Sequence, residues 1–319
     1  MVDEPGTEQG SNRRSTRHGA SAEGTATALV TGVTGHAGGH LARHLSDRGV
    51  AVRALVRTDE QAQFARQQGW HAVRGDLTEP ETLSAALEGV ELVLHSAGVR
   101  GPYTDESRAL CETVNITGTR ELAERALEAG VRRFVHISTI SVHGGALPPS
   151  VDEETPLATE DPHPYCSTKA RAEIELGKVR SHGLPVTILR AGMITHWSRS
   201  QWGDEMVTRI RDSGWPSFLH PDDVMPWVHT VNLAEMSWLA MTHEPVPNAV
   251  FIAADRNVTF RDLYGPITSA LGKPIVPPDR EPLVSISKLG KIGAQTGYKP
   301  IYSFEETVAR LVDLAKAPE

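Results

Sequence analysis

The chain is predicted to be an α/β protein: a doubly wound parallel sheet with helices on both faces and a smaller C-terminal lobe. Two observations carry this. Short apolar runs rich in β-branched residues alternate with helix-length amphipathic segments from Thr27 to Arg190, a rhythm that implies right-handed βαβ crossovers. The first run, Thr27–Thr31, leads directly into Gly32-Val33-Thr34-Gly35-His36-Ala37-Gly38. A glycine-rich turn at that place lets a strand hand over to a tightly packed helix. The 319 residues suffice for one large unit with a small appended lobe.

The elements follow in order. Thr27–Thr31 reads as a buried first strand. His40–Arg48 reads as a helix, with Leu41 and Leu45 on one face and Gly49 closing it. Val50–Val56 is a second strand, Gln61–Gln68 a helix, and His71–Val73 a third strand running into Gly75-Asp76-Leu77. Glu79-Pro80-Glu81 opens a helix that continues through Leu87, with proline early in its first turn. Val90–His95 is a fourth strand, Ala109–Ala129 one long helix, and Phe134–Ser138 a fifth strand. Tyr165 to about Arg180 is helical and Val186–Arg190 is a sixth strand. Beyond Arg190 the rhythm weakens into sequence rich in Pro, Trp and Asp. There only Ala249–Ala253 reads as a further strand returning to the main sheet.

This divides the chain into a tail over 1–24, a nucleotide-binding domain over 25–190 rejoined by 226–256, and a lobe built from 191–225 and 257–319. The tail is rich in Gly, Ser, Glu and Arg and has few large apolar side chains, so it is expected to be disordered. Arg13-Arg14-Ser15 resembles the start of a twin-arginine signal, but no apolar stretch follows it before Ala28.

Composition narrows the function. Forty acidic against 32 basic residues give a net charge of −8, which offers no support for nucleic-acid binding. No apolar run reaches the roughly 20 residues of a membrane helix. Cys111 and Cys166 are the only cysteines, and with no CxxC and no framework of even spacings neither a disulfide scaffold nor a zinc site is expected. A reducing, cytoplasmic setting fits. His36, His40 and His44 recur every four residues, as metal ligands on one helix face can, but His36 lies in the glycine loop, so packing or solvent exposure is the expected reading and no metal is expected.

The glycine turn has the chemistry of a pyrophosphate cradle. Gly32 permits the tight turn, Gly35 the close approach of backbone to phosphate, and Gly38 the close packing of helix on strand. Thr34, His36 and Ala37 complete the loop, and the helix N-terminus offers free N–H groups. At the end of the second strand NAD-selective sites place Asp or Glu for the ribose. Here Val56 and Arg57 occupy that place, and an arginine can clamp a 2′-phosphate. NADP is therefore favoured, with NAD open if Asp59 or Glu60 serves the ribose. Asp76 and Leu77 follow the third strand, beside the expected adenine position.

Tyr165 and Lys169 stand four apart at a helix start and so share a face. A free tyrosine, with pKa about 10, is a poor base at neutral pH; a neighbouring lysine lowers it and can also hold the ribose. Such a pair can exchange a proton with a substrate oxygen while hydride passes at a nicotinamide. Thr139 or Ser138, at the end of the fifth strand, can hold that oxygen.

The chain resembles an extended short-chain dehydrogenase/reductase of the NAD(P)-dependent epimerase/dehydratase type. The matching pieces are TGVTGHAG, GDL, HSAG, Asn115-Ile116-Thr117-Gly118-Thr119, STISVHG, YCSTK, LPVTILRAGMI, the segment Val228–Ala234 and Gly297-Tyr298-Lys299-Pro300, in the family's order. The resemblance implies Thr139 as the oxygen-holding hydroxyl, Tyr165 as proton donor and Lys169 as cofactor-positioning base. It also implies cofactor contacts at Ser96, Ala97, Gly98, Asn115, Ser138, Arg190, Gly192 and Met193, and a homodimer. His143, Ala191 and Gly98 depart from the family's usual residues. Ile140 and Ser141 replace the Asp-Glu pair of sugar 4,6-dehydratases, which argues against dehydration.

The expected function is NADP(H)-dependent reduction of a ketone or aldehyde, or oxidation of the alcohol, on a mainly apolar small molecule. Five of six tryptophans, Trp197, Trp202, Trp215, Trp227 and Trp238, fall in the lobe region. They could line an apolar substrate site or simply form the lobe's core. The loop Val99–Tyr103 is expected to border the substrate. The alternative is an NAD-dependent nucleotide-sugar epimerase, for which Arg199, Arg209, Arg211, Arg256 and Arg261 are available to hold a diphosphate. A dinucleotide-sensing regulator without catalysis is the third class, and Tyr165, Lys169 and Thr139 argue against it.

Overall fold

The computed structural model describes residues 26–101, 104–244 and 249–317; the expected tail and the tip of the loop at Pro102 and Tyr103 lie outside these. The first half runs β1 (Thr27–Thr31), α1 (His36–Asp47), β2 (Ala51–Val56), α2 (Asp59–Gln67), β3 (His71–Arg74), α3 (Leu83–Leu87), β4 (Leu92–His95), α4 (Asp105–Cys111), α5 (Thr119–Glu128) and β5 (Arg133–Thr139). Then come β6 (Ser150–Val151), α6 (Pro164–Ser181), β7 (Val186–Ala191), β8 (Met193–Thr195), α7 (Asp204–Ser213), β9 (Val224–His229), α8 (Thr230–Thr242) and β10 (Val250–Ala253). The chain closes with β11 (Arg256–Thr259), α9 (Phe260–Ala270), β12 (Ile286–Ser287), α10 (Lys291–Thr296) and α11 (Phe304–Lys316).

Seven strands form one parallel sheet in the order β10-β7-β5-β4-β1-β2-β3. This is the doubly wound Rossmann arrangement, and its strand order reverses between β1 and β4, where a crevice opens beyond the carboxyl ends. Period-two alternation assigns each strand to both faces. Ala28 and Val30 pack with Leu41, Leu45, Ala62 and Leu233 on the face covered by α1, α2 and α8. Leu29, between them, packs with Leu83, Leu122 and Leu176 under α3, α5 and α6. A third core in the lobe joins Met206, Ile210, Trp215, Trp227, Leu263, Tyr264 and Leu311.

Three elements differ from expectation. Helix α1 starts at His36 rather than His40, because Gly38 and Gly39 have poor helix propensity and the apolar periodicity begins only at Leu41. The expected helix over 109–129 is α4 and α5 joined by a π-helical turn, Glu112–Gly118. The turn fits Asn115 to its partners and Gly118 to Leu77, whose Cβ would lie 2.7 Å from a Cβ added at Gly118. A small sheet, β11-β9-β8, flanks the site; its strands are too short, and Pro226 in β9 too unfavourable, for the sequence to announce it. Within 226–256, α8 packs against α1 and β10 joins the main sheet, while β9 pairs with β11. No helix among the described residues is long and apolar enough to cross a membrane.

Candidate active site

A cavity of about 510 Å³ opens at the carboxyl ends of the sheet, between the glycine loop and the lobe. Of the residues expected to contact a cofactor, Gly32, Gly35, His36, Ala37, Gly38, Ser96, Ala97, Gly98, Ser138, Gly192 and Met193 line it, together with Thr139, Tyr165 and Lys169. Thr34, Arg57, Asp76, Leu77, Asn115 and Arg190 do not.

The loop geometry suits a dinucleotide. Gly32 has φ +72°, and a Cβ there would meet the Ala97 backbone nitrogen at 2.8 Å. A Cβ on Gly38 would lie 2.2 Å from the Gly32 carbonyl oxygen, so strand and helix touch as closely as backbones can. The start of α1 has no side-chain cap, which leaves its first N–H groups for an anion. Thr31 ties this loop to the next strand. Its Oγ1 accepts from the Ser96 and Ala97 N–H groups at 3.1 and 3.0 Å. These fix the HSAG backbone against the loop.

Thr139 ends β5 and caps the short helical turn Ile140–His143, its Oγ1 accepting from Ser141 N at 3.2 Å. The hydroxyl hydrogen therefore remains available to a substrate oxygen. Pro164 occupies the first turn of α6, placing half-buried Tyr165 at the cavity edge, and the Arg100 guanidinium lies 5.6 Å from the ring centre. One helical turn on, Lys169 is buried and donates to the Ile137 carbonyl oxygen at 2.9 Å. Burial lowers its ammonium to about pKa 8, with Glu173 acting in the opposite sense. Cys166 also borders the cavity; burial first, then Asp161, push its thiol up to about 11. It is protonated at neutral pH and no nucleophile.

Several expected contact residues have partners within the protein. Arg190 is buried against Glu173, Nη2 to Oε2 at 2.8 Å, and Glu173 also accepts from Ser138 Oγ at 2.5 Å. This network locks α6 to β5 and β7 beneath the site. Replacing Glu173 with Leu leaves a buried guanidinium unpaired and is expected to lower stability by about 3–5 kcal/mol; urea unfolding measures it, and a loss near zero contradicts the role given to the pair. Asn115 accepts from Val99 N at 2.8 Å and donates to Val99 O and Thr168 Oγ1, so it clamps the loop after β4 to α6. Leu77 is buried against Gly118. Arg57 lies 3.8 Å from Asp76 at the sheet edge, more than half of its side chain exposed. Thr34 lends its carbonyl oxygen to Arg199.

His44 turns to Glu235, and among the described residues no three metal-type ligands converge. His36 donates through Nε2 to Thr230 Oγ1, whose own hydrogen goes to the Thr195 carbonyl oxygen. Burial, then His40 and His196, lower its pKa to about 4, so the loop carries a neutral imidazole. Of the five lobe tryptophans only Trp202 lines the cavity, stacked on Phe260 at 5.9 Å. Trp215 and Trp227 are core, Trp197 stacks on His196 and His229, and Trp238 packs on the main core.

A model of the NAD dependent epimerase/dehydratase family matches residues 28–253. The chain belongs to this family. Its fold is shared with a short-chain dehydrogenase/reductase superfamily protein from Agrobacterium tumefaciens, which superposes with TM-score 0.76 at 24 % identity, covering 90 % of this chain and 96 % of that one. A ketoreductase from Stigmatella aurantiaca acting on a farnesylated dihydroquinoline oxide is 28 % identical over 67 % of this chain, a match spanning 64 % of that enzyme. Sterol demethylase protein B of Methylococcus capsulatus is 37 % identical over 49 % of this chain and 48 % of its own length. The structure of DesIV, a dTDP-glucose 4,6-dehydratase from Streptomyces venezuelae with NAD bound, superposes with TM-score 0.74 at 27 % identity, covering 90 % of this chain and 96 % of that one. The proteins this chain resembles thus include a ketoreductase and a sugar-nucleotide dehydratase alike. Four lining residues, His163, Gln201, Met225 and Phe260, carry no sequence signal of their own; they reach the cavity through the crossovers. Arg74 was equally silent, although β2–β3 register sets it opposite Val56, next to Arg57.

Proposed function

We propose that the protein is an NADP(H)-dependent oxidoreductase that reduces a ketone or aldehyde of a mainly apolar small molecule, or oxidises the corresponding alcohol. The observation that carries this is the convergence of Thr139, Tyr165 and Lys169 on one cavity with an uncapped glycine-loop helix. When bound, the nicotinamide supplies or accepts the hydride. Thr139 holds the substrate oxygen, Tyr165 Oη gives it a proton as it gains charge, and Lys169 keeps a cation beside the phenol and ribose. Met193, Ile194, Trp202, Met225 and Phe260 make the lobe side of the cavity apolar.

A phosphorylated cofactor is supported by the sheet edge. Arg57 and Arg74 lie side by side, each more than half exposed, in pairs of 3.8 Å with Asp76 and Asp59. Exposed pairs at that distance are weak, so Arg57 can turn to a 2′-phosphate, while Arg74, whose Nη1 donates to the Arg57 carbonyl oxygen at 2.6 Å, keeps its other guanidinium nitrogens for the same anion. Changing Arg57 or Arg74 to Ala is expected to weaken NADPH binding about tenfold or more and to leave NADH binding unchanged. Equal losses for both cofactors would contradict the assignment.

The nucleotide-sugar alternative draws less support. Arg209 packs over Phe218, Arg211 donates to the Leu314 carbonyl oxygen, Arg256 pairs with Glu305 and Arg261 with Asp222. Neither they nor Arg199 line the cavity. Incubation with NADPH and a panel of cyclic and aromatic ketones and aldehydes tests the reductase reading. Net oxidation of NADPH is expected; conversion of nucleotide sugars alone, without net cofactor oxidation, would overturn it.

A further inference from the structure

We propose that His136 is a positioning residue for Lys169: its neutral imidazole, accepting at Nε2, fixes the ammonium beneath the cavity and leaves one proton for the cofactor side. This deepens, and rests on, the dinucleotide reading above. Strand β5 supplies both fixed acceptors. Lys169 Nζ donates to Ile137 O at 2.9 Å and lies 2.8 Å from His136 Nε2. An ammonium has three donors and no acceptor. His136 must therefore present a bare Nε2 and carry its hydrogen on Nδ1. Two ammonium protons are engaged and one remains, on a side chain that is buried and still borders the cavity.

A packing role alone does not account for this histidine. With its hydrogen on Nδ1, it holds a buried donor with no partner among the described residues, which costs stability that an aromatic hydrocarbon side chain would not. Its register partner on β4, His95, is the contrast. Thr31 Oγ1, with both lone pairs taken by Ser96 and Ala97, donates to His95 Nδ1 at 2.8 Å, and His95 Nε2 donates to Thr119 Oγ1 at 2.9 Å. The rings lie 5.0 Å apart. One histidine is a closed structural link; the other offers its acceptor to the lysine.

The titratable and charged groups around the ammonium are His136 on β5, His95 on β4, and Tyr165 and Glu173 on α6, with Glu173 held by Arg190 of β7. Burial, then Lys169, then His95 push His136 well below the ordinary imidazole range, so the shared proton stays on the lysine. Removing the acceptor destabilises the ammonium and shifts its deprotonation to lower pH.

The test is dinucleotide binding by the intact protein from about pH 6 to about pH 9 for wild type, His136→Phe and His136→Gln. The Phe variant is expected to match wild type at the acid end and bind about tenfold more weakly at the alkaline end, its midpoint lower by about one pH unit. Glutamine, whose Oε1 can accept, restores the wild-type profile. A loss uniform across pH, or a Phe profile superimposed on wild type, overturns the proposal. A wild type that binds neither NADPH nor NADH overturns the dinucleotide reading beneath it. Nitrogen NMR of the wild-type imidazole gives a check that needs no variant: Nδ1–H is expected, and hydrogen on Nε2 overturns the proposal.

Discussion

Tyr165→Phe lowers turnover by about 10²–10⁴-fold, the usual contribution of a positioned proton donor, and leaves cofactor affinity nearly unchanged. The ring is kept, so the contact with Arg100 and the helix start at Pro164 persist. Only the hydroxyl that passes the proton is lost. The Gly32–Gly38 loop and Lys169, which hold the dinucleotide in this reading, do not change. Steady-state kinetics with any turned-over ketone, set beside NADPH titration, separates the two effects. Full activity in the variant would remove Tyr165 from the chemistry, and a parallel loss of NADPH binding would make it a structural residue.

The second large effect is expected at Gly38. A methyl there meets the Gly32 carbonyl oxygen at 2.2 Å and its carbon at 2.6 Å. Both atoms are backbone, so no side chain can move aside to make room. Gly38→Ala must push α1 away from the β1 turn. Overpacking of this kind costs about 1–3 kcal/mol, and the displaced helix start no longer presents its N–H groups to a pyrophosphate. We expect dinucleotide binding to fall below detection with a clear drop in Tm. Gly177→Ala is the control: it lies in α6 with nothing within 4 Å of the added methyl, and alanine in a helix interior is worth up to about 1 kcal/mol over glycine. That variant should bind normally and unfold at an equal or higher temperature. Normal binding by Gly38→Ala would show that the loop is not the cradle.

Much of the sheet is legible in the sequence because each central strand is buried on both faces. Such strands read as continuous β-branched runs, as Thr27–Thr31 and Val186–Arg190 do. The seventh strand was legible at Ala249–Ala253 for the same reason. The small β11-β9-β8 sheet was not, since β8 has only three residues, β11 is exposed at one end and β9 carries Pro226. At the site, local motifs located the glycine loop and the Tyr165–Lys169 turn, because short-range spacing encodes them. What spacing does not encode is which way a side chain turns. Arg190 and Asn115 sit where motif matching expects cofactor contacts, yet their polar atoms are satisfied by Glu173, Val99 and Thr168. Trp202 and Trp215 look alike in sequence, yet Trp202 stacks on Phe260 at the cavity while Trp215 is buried and donates Nε1 to the Leu219 carbonyl oxygen. His136 was invisible as anything but a strand residue until its ring met Lys169.

The measurement that tests the functional reading most directly is titration of purified protein with NADPH and with NADH, after assaying the protein for dinucleotide already bound. Exchangeable NADPH bound more tightly than NADH, with little cofactor carried through purification, is the predicted result. Stoichiometric NAD(H) that survives purification and does not exchange would contradict it, and would favour internal hydride return in a nucleotide-sugar epimerase.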